Sequence, residues 1–177
     1  MADKQTEKLT VAARIDGRTF VRFAAFDTLV RKRAWRNPLL FALILSAFAA
    51  VCFCARGSHA QAALPGGVLL TVGLLLPLVW FGSFFASASK QAKRSGLSAD
   101  RVQYYVTLSP EAIHVTKGGE AADFSWQDVH MAYRTGGCIY LYVSAQRAFL
   151  LPDCEESERA WEIIAANLPP DKLRAAR

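Results

Sequence analysis

Cysteine and histidine are scarce in this chain, with four and three among 177 residues. So few cysteines exclude a disulfide-built scaffold. Cys52 and Cys54 stand one residue apart inside an apolar run, whereas structural zinc sites place about two to four residues between paired ligands and need further partners. His59, His114 and His130 are scattered. No metal is therefore expected, and Cys138 and Cys154 read as reduced thiols. The chain also lacks a G-x-S-x-G elbow, a G-x-x-x-x-G-K-[ST] loop and a G-x-G-x-x-G turn. Asp123 and Asp128 flank a turn and read as caps rather than as paired carboxylates. No catalytic residue, cofactor or enzymatic activity is expected.

The most informative absence is of charge. From Pro38 to Ala55 and from Gly66 to Ala88 there is no Asp, Glu, Lys or Arg. The first run is 18 residues long, about 27 Å as a helix against roughly 30 Å of hydrocarbon. Nine of its residues are Leu, Ile, Phe or Val, so insertion gains about 3 to 5 kcal/mol with no charge to oppose it. The second run has twelve such residues and follows Pro65, which suits a first helical turn. Only "RGSHAQAALP" separates the two, so an antiparallel hairpin is expected.

Basic residues crowd the outer flanks. Arg31, Lys32, Arg33 and Arg36 precede the first run and Lys90, Lys93 and Arg94 follow the second, while the loop offers Arg56 and His59. By the positive-inside rule both termini face the cytoplasm of a cell (inner or plasma) membrane, crossed by a multi-pass chain. Trp35 suits the same interface, as do Trp80, Phe81, Phe84 and Phe85. A signal peptide cleaved near "AQA" at 60–62 is disfavoured, because the charged region before it is too long and a second apolar run follows. A buried soluble hairpin is disfavoured by the length of the charge-free runs. The net charge of +6 clusters beside apolar runs, so it points to the lipid bilayer as partner and not to nucleic acid.

Within the hairpin Ala42, Ser46 and Ala50 recur every fourth residue, as do Gly82 and Ala86, and are expected to pack helix on helix. Pro77 leaves the carbonyl of Gly73 without its usual donor and is read as a tolerated kink, with a hinge as the alternative. No acidic or basic residue lies within either run, so an ion path through one chain is not expected.

The remainder reads as a small α+β module. "VQYYVTLS", "AIHVTK", "EAADFSW", "VHMAYRT", "CIYLYVS" and "AFLLP" are short strands separated by turns, several of them glycine pairs. Ile139, Leu141 and Val143 alternate on a buried face, with Cys138, Tyr140 and Tyr142 on a partly buried one. Asp153 with Glu156 resembles a capping box opening a helix over about 154–168, with Trp161, Ile164, Ala165 and Leu168 on one stripe and Pro169–Pro170 ending it. Trp126 and Val129 anchor a sheet corner, and Trp161 anchors the helix. Before the hairpin, Leu9 to Ile15 alternate as a strand expected to join this sheet. Phe20, Phe23, Phe26 and Val30 form a helical stripe opposite Arg18 and Arg22, suited either to the membrane surface or to the sheet.

The hairpin, then "YVTLSPEAIHVTKGG", "FSWQDVHMAYRTGGCIYLYVSAQRAFLLP" and a last helix, resembles the bacterial YcxB-like proteins. The pattern is met at Trp126, Val129, Tyr140 to Tyr142, and Leu151 to Pro152. The resemblance implies a membrane-anchored protein with a pleckstrin-homology-like cytoplasmic domain and supplies no catalytic residues.

The expected fold is thus a membrane α-helical hairpin plus a small antiparallel sheet or partial barrel capped by a C-terminal helix. Its segments are 1–36 (strand and amphipathic helix), 37–88 (hairpin), 89–101 (basic linker), 102–170 (sheet domain) and 171–177 (tail). Residues 102–177 carry seven Lys/Arg against ten Asp/Glu, which argues against anionic head groups as ligand. A binding or scaffolding module with a protein partner or self-association is expected, or else an accessory subunit of a membrane enzyme or transporter acting through its hairpin.

Overall fold

Apolar residues at every second position commit a segment to a sheet with one buried face. In the computed structural model of the chain, which describes residues 8–54, 63–98 and 100–175, eight such segments form two four-stranded sheets. The first has the order β1-β2-β3-β4 and is wholly antiparallel: β1 (Leu9–Ala13), β2 (Tyr104–Leu108), β3 (Ala112–Lys117) and β4 (Glu120–Ser125). Its register aligns Leu9, Leu108, Ile113 and Phe124 in one row and Val11, Val106 and Val115 in the next. β1 therefore pairs with a strand that follows both apolar runs in sequence.

The second sheet has the order β7-β6-β5-β8: β5 (Met131–Thr135), β6 (Cys138–Tyr142), β7 (Ala148–Pro152) and β8 (Leu173–Ala175). Ala132, Ile139, Leu141, Phe149 and Leu151 face the same core as the first sheet. Each of these side chains except that of Ala132 contributes roughly 1.5 to 3 kcal/mol of burial free energy. The two sheets share one core and do not close into a barrel. The tail expected at 171–177 is corrected: β8 pairs in parallel with β5, Leu173 opposite Ala132 and Arg174 opposite Tyr133. β6 is buried on both faces, and on the face away from the shared core Tyr142 meets Tyr133 edge-on at 5.6 Å.

The last helix, α4, spans Ser157–Asn167 and starts later than the expected 154. The Ser157 hydroxyl accepts from the Cys154 N–H at 2.7 Å, so residues 154–157 form a turn, and Glu156 in the N-cap position makes no side-chain cap. Ala160, Ile164 and Leu168 enter the core, with Trp161 packed against its margin.

The second compact unit, Phe20–Arg94, is helical. Its first helix, α1 (Gly17–Ala25), runs into a π-helical turn over Phe26–Arg31. α2 (Arg36–Cys54) and α3 (Ala63–Arg94) follow, and α3 continues unbroken through Pro77. Both are long and apolar enough to cross a membrane. α3 ends before Gly96, whose φ of 60° suits a left-handed cap. The loop bearing Arg56 and His59 lies outside the described residues.

Asp16 caps α1: its carboxylate accepts the Thr19 N–H at 2.7 Å. Hydrogen bonding by the Thr19 side chain first, and by its N–H second, holds the carboxyl below the ordinary 3.8. The stabilisation is therefore complete above pH 3.8 and fades as pH falls through the depressed value. Asp16→Ala is expected to cost about 1 kcal/mol at neutral pH. The loss should vanish in acid, as read by denaturant titration at two pH values.

Candidate membrane interface

α2 and α3 expose their large side chains outward. Leu43 is 69% exposed and Leu78 68%, and only 11% and 6% of the apolar windows of the two helices are buried. A core helix of a soluble protein shows the opposite pattern, since such side chains gain free energy by leaving water. The surface is continuous along both helices, through Leu40, Phe48, Val51, Val68, Leu74 and Val79.

The seam between the helices is built from small groups. A Cβ placed on Gly73 would lie 3.2 Å from Leu45 Cβ and 3.4 Å from the Ala42 carbonyl oxygen, and one on Gly66 would lie 3.2 Å from the Phe53 ring. As α3 advances from 66 to 73 its neighbours on α2 run back from Phe53 to Ala42, so the pair is antiparallel. Ala42 and Ser46 lie at this seam with the buried Ala49, as the small-residue ladder requires in part. Ala50, Gly82 and Ala86 do not: all three are exposed, and a Cβ on Gly82 would meet nothing within 4 Å. The signal for the true seam was the seven-residue spacing of Gly66 and Gly73, two helical turns on one face. Gly73→Leu is expected to destabilise the hairpin by about 1 to 3 kcal/mol, whereas Gly82→Leu should stay within about 0.5 kcal/mol. Unfolding in increasing fractions of denaturing detergent measures both.

At the rims, Arg33, Arg36, Lys90, Lys93 and Arg94 are exposed. Arg31 and Lys32 are committed differently. Each holds the Asp27 carboxylate at 2.6 Å, and the Arg31 side chain is largely covered. Asp27 accordingly neutralises part of the basic flank that the sequence suggested. Arg33 takes a φ of 51°, where the chain leaves the π-helical turn and Ala34 N–H reaches the Thr28 carbonyl at 2.9 Å. A side chain in this region costs roughly 1 to 2 kcal/mol, which the turn's hydrogen bonds offset. Trp35 is exposed beside it, and Trp80 stacks on Phe84 with ring centroids 5.9 Å apart. Phe20 and Phe23 are half-buried and Phe26 buried, while Val30 is exposed.

The sheet module carries other chemistry on its surface. Thr10, Thr107, His114 and Asp123 form one cross-strand row on the outer face of the first sheet. Thr10 and Thr107 hydroxyls lie 2.9 Å apart and His114 Nδ1 is 2.5 Å from Asp123 Oδ1. A cleft of about 170 Å³ lies under the β5–β6 turn, lined by Arg134, Cys138, Asp153 and Ser157. Burial, and secondarily Asp153, pushes the Cys138 thiol up to about 12, so it stays protonated and is a poor nucleophile. The Arg134 guanidinium there is taken by Glu158. Among the described residues, no group of three or more His, Cys, Asp or Glu could hold a metal ion.

Trp126 occupies a 3₁₀ turn (Trp126–Asp128) between β4 and β5, 7% exposed, and its Nε1–H donates to the Ser109 carbonyl at 2.8 Å. Ser125 caps the turn by accepting the Gln127 N–H, and Val129 is fully buried beside it. Tyr104 is the anchor that sequence reasoning missed. From β2 its hydroxyl accepts the Leu150 N–H at 2.8 Å and donates to the Leu150 carbonyl at 3.0 Å, tying the first sheet to the β7 edge of the second. Burial raises its pKa well above the usual phenol range, so the donor is retained. Residues 108–164, from the end of β2 to α4, match the family model described as YcxB-like protein.

That stretch of the sheet module is similar to YcxB-like proteins. The match covers the Trp126 turn, Val129, the Tyr140–Tyr142 strand, the Leu151–Pro152 step and Trp161, while Tyr104 and β1 lie outside it. Roughly a third of the chain is matched, and both apolar helices lie outside it. Comparison with curated proteins and with solved structures gave no match.

Proposed function

We propose that the chain is a membrane-anchored binding or scaffolding module. α2 and α3 form a two-pass hairpin in the cell membrane, and the YcxB-like module works in the cytoplasm as a pleckstrin-homology-like domain of a bacterial protein. One observation carries this reading: β1, which precedes the hairpin, pairs with β2, which follows it. Both ends of the hairpin thus lead into one folded module and belong to one compartment, as an even number of crossings requires. The basic flanks assign that compartment to the cytoplasm. A reporter active only in the cytoplasm is expected to work when fused after Arg177. A reporter active only outside, fused at the same place, is expected to stay silent, and the reverse outcome defeats the topology.

The ligand is a protein in preference to an anionic lipid. The module's ten acidic against seven basic residues give it no polybasic patch, which at an anionic surface is worth about 1 kcal/mol per Lys or Arg. Cross-linking in membranes followed by detergent extraction reads this directly, a protein adduct being the expected product.

A second reading is favoured by the exposure of Ala50, Gly82 and Ala86 away from the hairpin's own seam. Small residues on a membrane-facing surface allow another helix to approach closely, which suits an accessory subunit of a membrane enzyme or transporter. Loss of a co-purifying partner on Gly82→Leu, with the hairpin intact, selects this reading.

A further inference from the structure

The C-terminal strand is an addition to a fold that is otherwise complete before it. α4 closes with the Leu168 N–H on the Ile164 carbonyl, Pro169 and Pro170 then leave the helix, and a single 3₁₀ turn (Pro170–Lys172) delivers β8 to the β5 edge. Three residues pair there, in parallel, within a sheet whose other pairings are antiparallel. Two further holds are side chains: Lys172 Nζ donates to the Val129 carbonyl at 2.6 Å and the Gln127 carbonyl at 3.2 Å, and Leu173 packs half-buried on the core. Charge matches as well. Residues 171–177 carry three basic and one acidic residue, whereas residues 102–170 carry four basic and nine acidic. β8 and the turn before it thus bring Arg174 and Lys172 to the edge of an acidic module.

We propose that the β5 edge is a strand-acceptor site and that its partner in trans is the C-terminal segment of a second copy of this chain, exchanged about the Pro169–Pro170 hinge. Exchange makes the same ladder, the same Lys172 bonds and the same Leu173 contact as the closed form. The balance between the two is therefore set by effective concentration and not by new contacts. A three-residue ladder opens easily. Copies held in one membrane share a thin layer, which raises the concentration of the competing segment. The inference names the partner of the recruitment module and rests on that reading.

The test uses the full chain in its membrane, with Cys154 replaced by serine throughout. Arg134 and Ala175 are register partners across β5 and β8, so a chain carrying both Arg134→Cys and Ala175→Cys should close an intrachain disulfide under mild oxidation. The decisive sample mixes two differently tagged chains, one bearing Arg134→Cys and the other Ala175→Cys. Reducible heterodimer should exceed that formed by either variant alone by about tenfold. Intrachain closure in the double variant without heterodimer in the mixture overturns the proposal, because the strand is then a permanent fixture of its own chain. Failure of the double variant to close overturns it too, since the pairing itself is then absent. Tyr133→Cys with Arg174→Cys, the neighbouring register pair, repeats the measurement without disturbing the Arg134–Glu158 ion pair. Sedimentation of the same chains with washed membranes reads the anchoring separately, so loss of the anchor and loss of exchange are told apart.

Discussion

Trp126→Ala is expected to destabilise the sheet module by about 4 kcal/mol, a large part of the 5 to 15 kcal/mol, roughly, that holds a domain of this size together. Two losses combine. The indole belongs to the same buried core as Val129, Leu108 and Ile113, and its removal leaves a cavity that strands fixed by two ladders cannot collapse to fill. Its N–H is also the donor to the carbonyl of Ser109, a residue 1% exposed. The Ser109 hydroxyl is itself engaged with the Ala112 backbone at 2.7 and 3.1 Å, donating to the carbonyl and accepting from the N–H. Trp126 thereby ties the β4–β5 corner to the β2–β3 turn. Trp126→Phe separates the two losses: it keeps most of the ring and removes the donor, and should cost about 1 to 3 kcal/mol. Trp161→Ala serves as reference, because that ring is only partly buried at the margin of the core. Urea titration of the full chain in detergent, followed through hydrogen exchange of the β2 and β3 amides, gives the three values. Equal losses for Trp126→Ala and Trp161→Ala would remove the corner anchor from this account.

Much of this architecture is legible in the residues because its causes are local. Alternation in Leu9–Ala13 and in Ile139–Val143 dictates a buried face wherever those strands lie, and the want of charge from Pro38 to Ala55 dictates an apolar solvent. What alternation cannot state is which strands share a sheet. A period of two fixes the face and leaves the neighbour open, so the division into two four-stranded sheets came only with the structure. β8 was hidden for a simpler reason: Leu173–Ala175 is too short to show a period, and it follows two prolines that read as an ending.

The hairpin seam was half legible. At roughly 100° per residue, Ala49 lies about 20° around the helix from Ala42, but Ala50 lies about 80° around. A ladder read at every fourth residue therefore drifts off the contact. By the same geometry Gly82 falls on the side of α3 opposite Gly73, which is why one glycine touches Leu45 and the other touches nothing. The candidate site was legible as a surface and not as a ligand. Side chains that recruit a partner are drawn from the same Thr, His, Asp and Arg that solvate any module, and a single sequence does not mark them apart.

Leu43→Arg is the substitution that separates a membrane hairpin from a soluble one, because the two solvents reverse its sign. Leu43 points away from the partner helix and is 69% exposed. In water an arginine there would stay within about 0.5 kcal/mol of neutral and would improve solubility. In lipid the same side chain near the middle of α2 costs about 2.5 to 3.5 kcal/mol and forfeits the leucine's own contribution, which consumes most of what the nine large apolar residues of that run provide. Ser46, three residues on, is at the seam but offers a hydroxyl and no carboxylate, and the spans hold no acidic residue to pair with the new charge. The equilibrium constant for inserting α2 should fall by a factor on the order of a hundred, which brings that span near even balance and is read as chain lost from carbonate-washed membranes. Val30→Arg is the matched control: Val30 is 58% exposed but lies before α2, and its replacement should leave the membrane-bound fraction unchanged. A Leu43→Arg chain that pellets with membranes as fully as the parent, with its sheet module folded, would show that lipid is not the solvent of α2. The apolar surface would then have to be covered by protein.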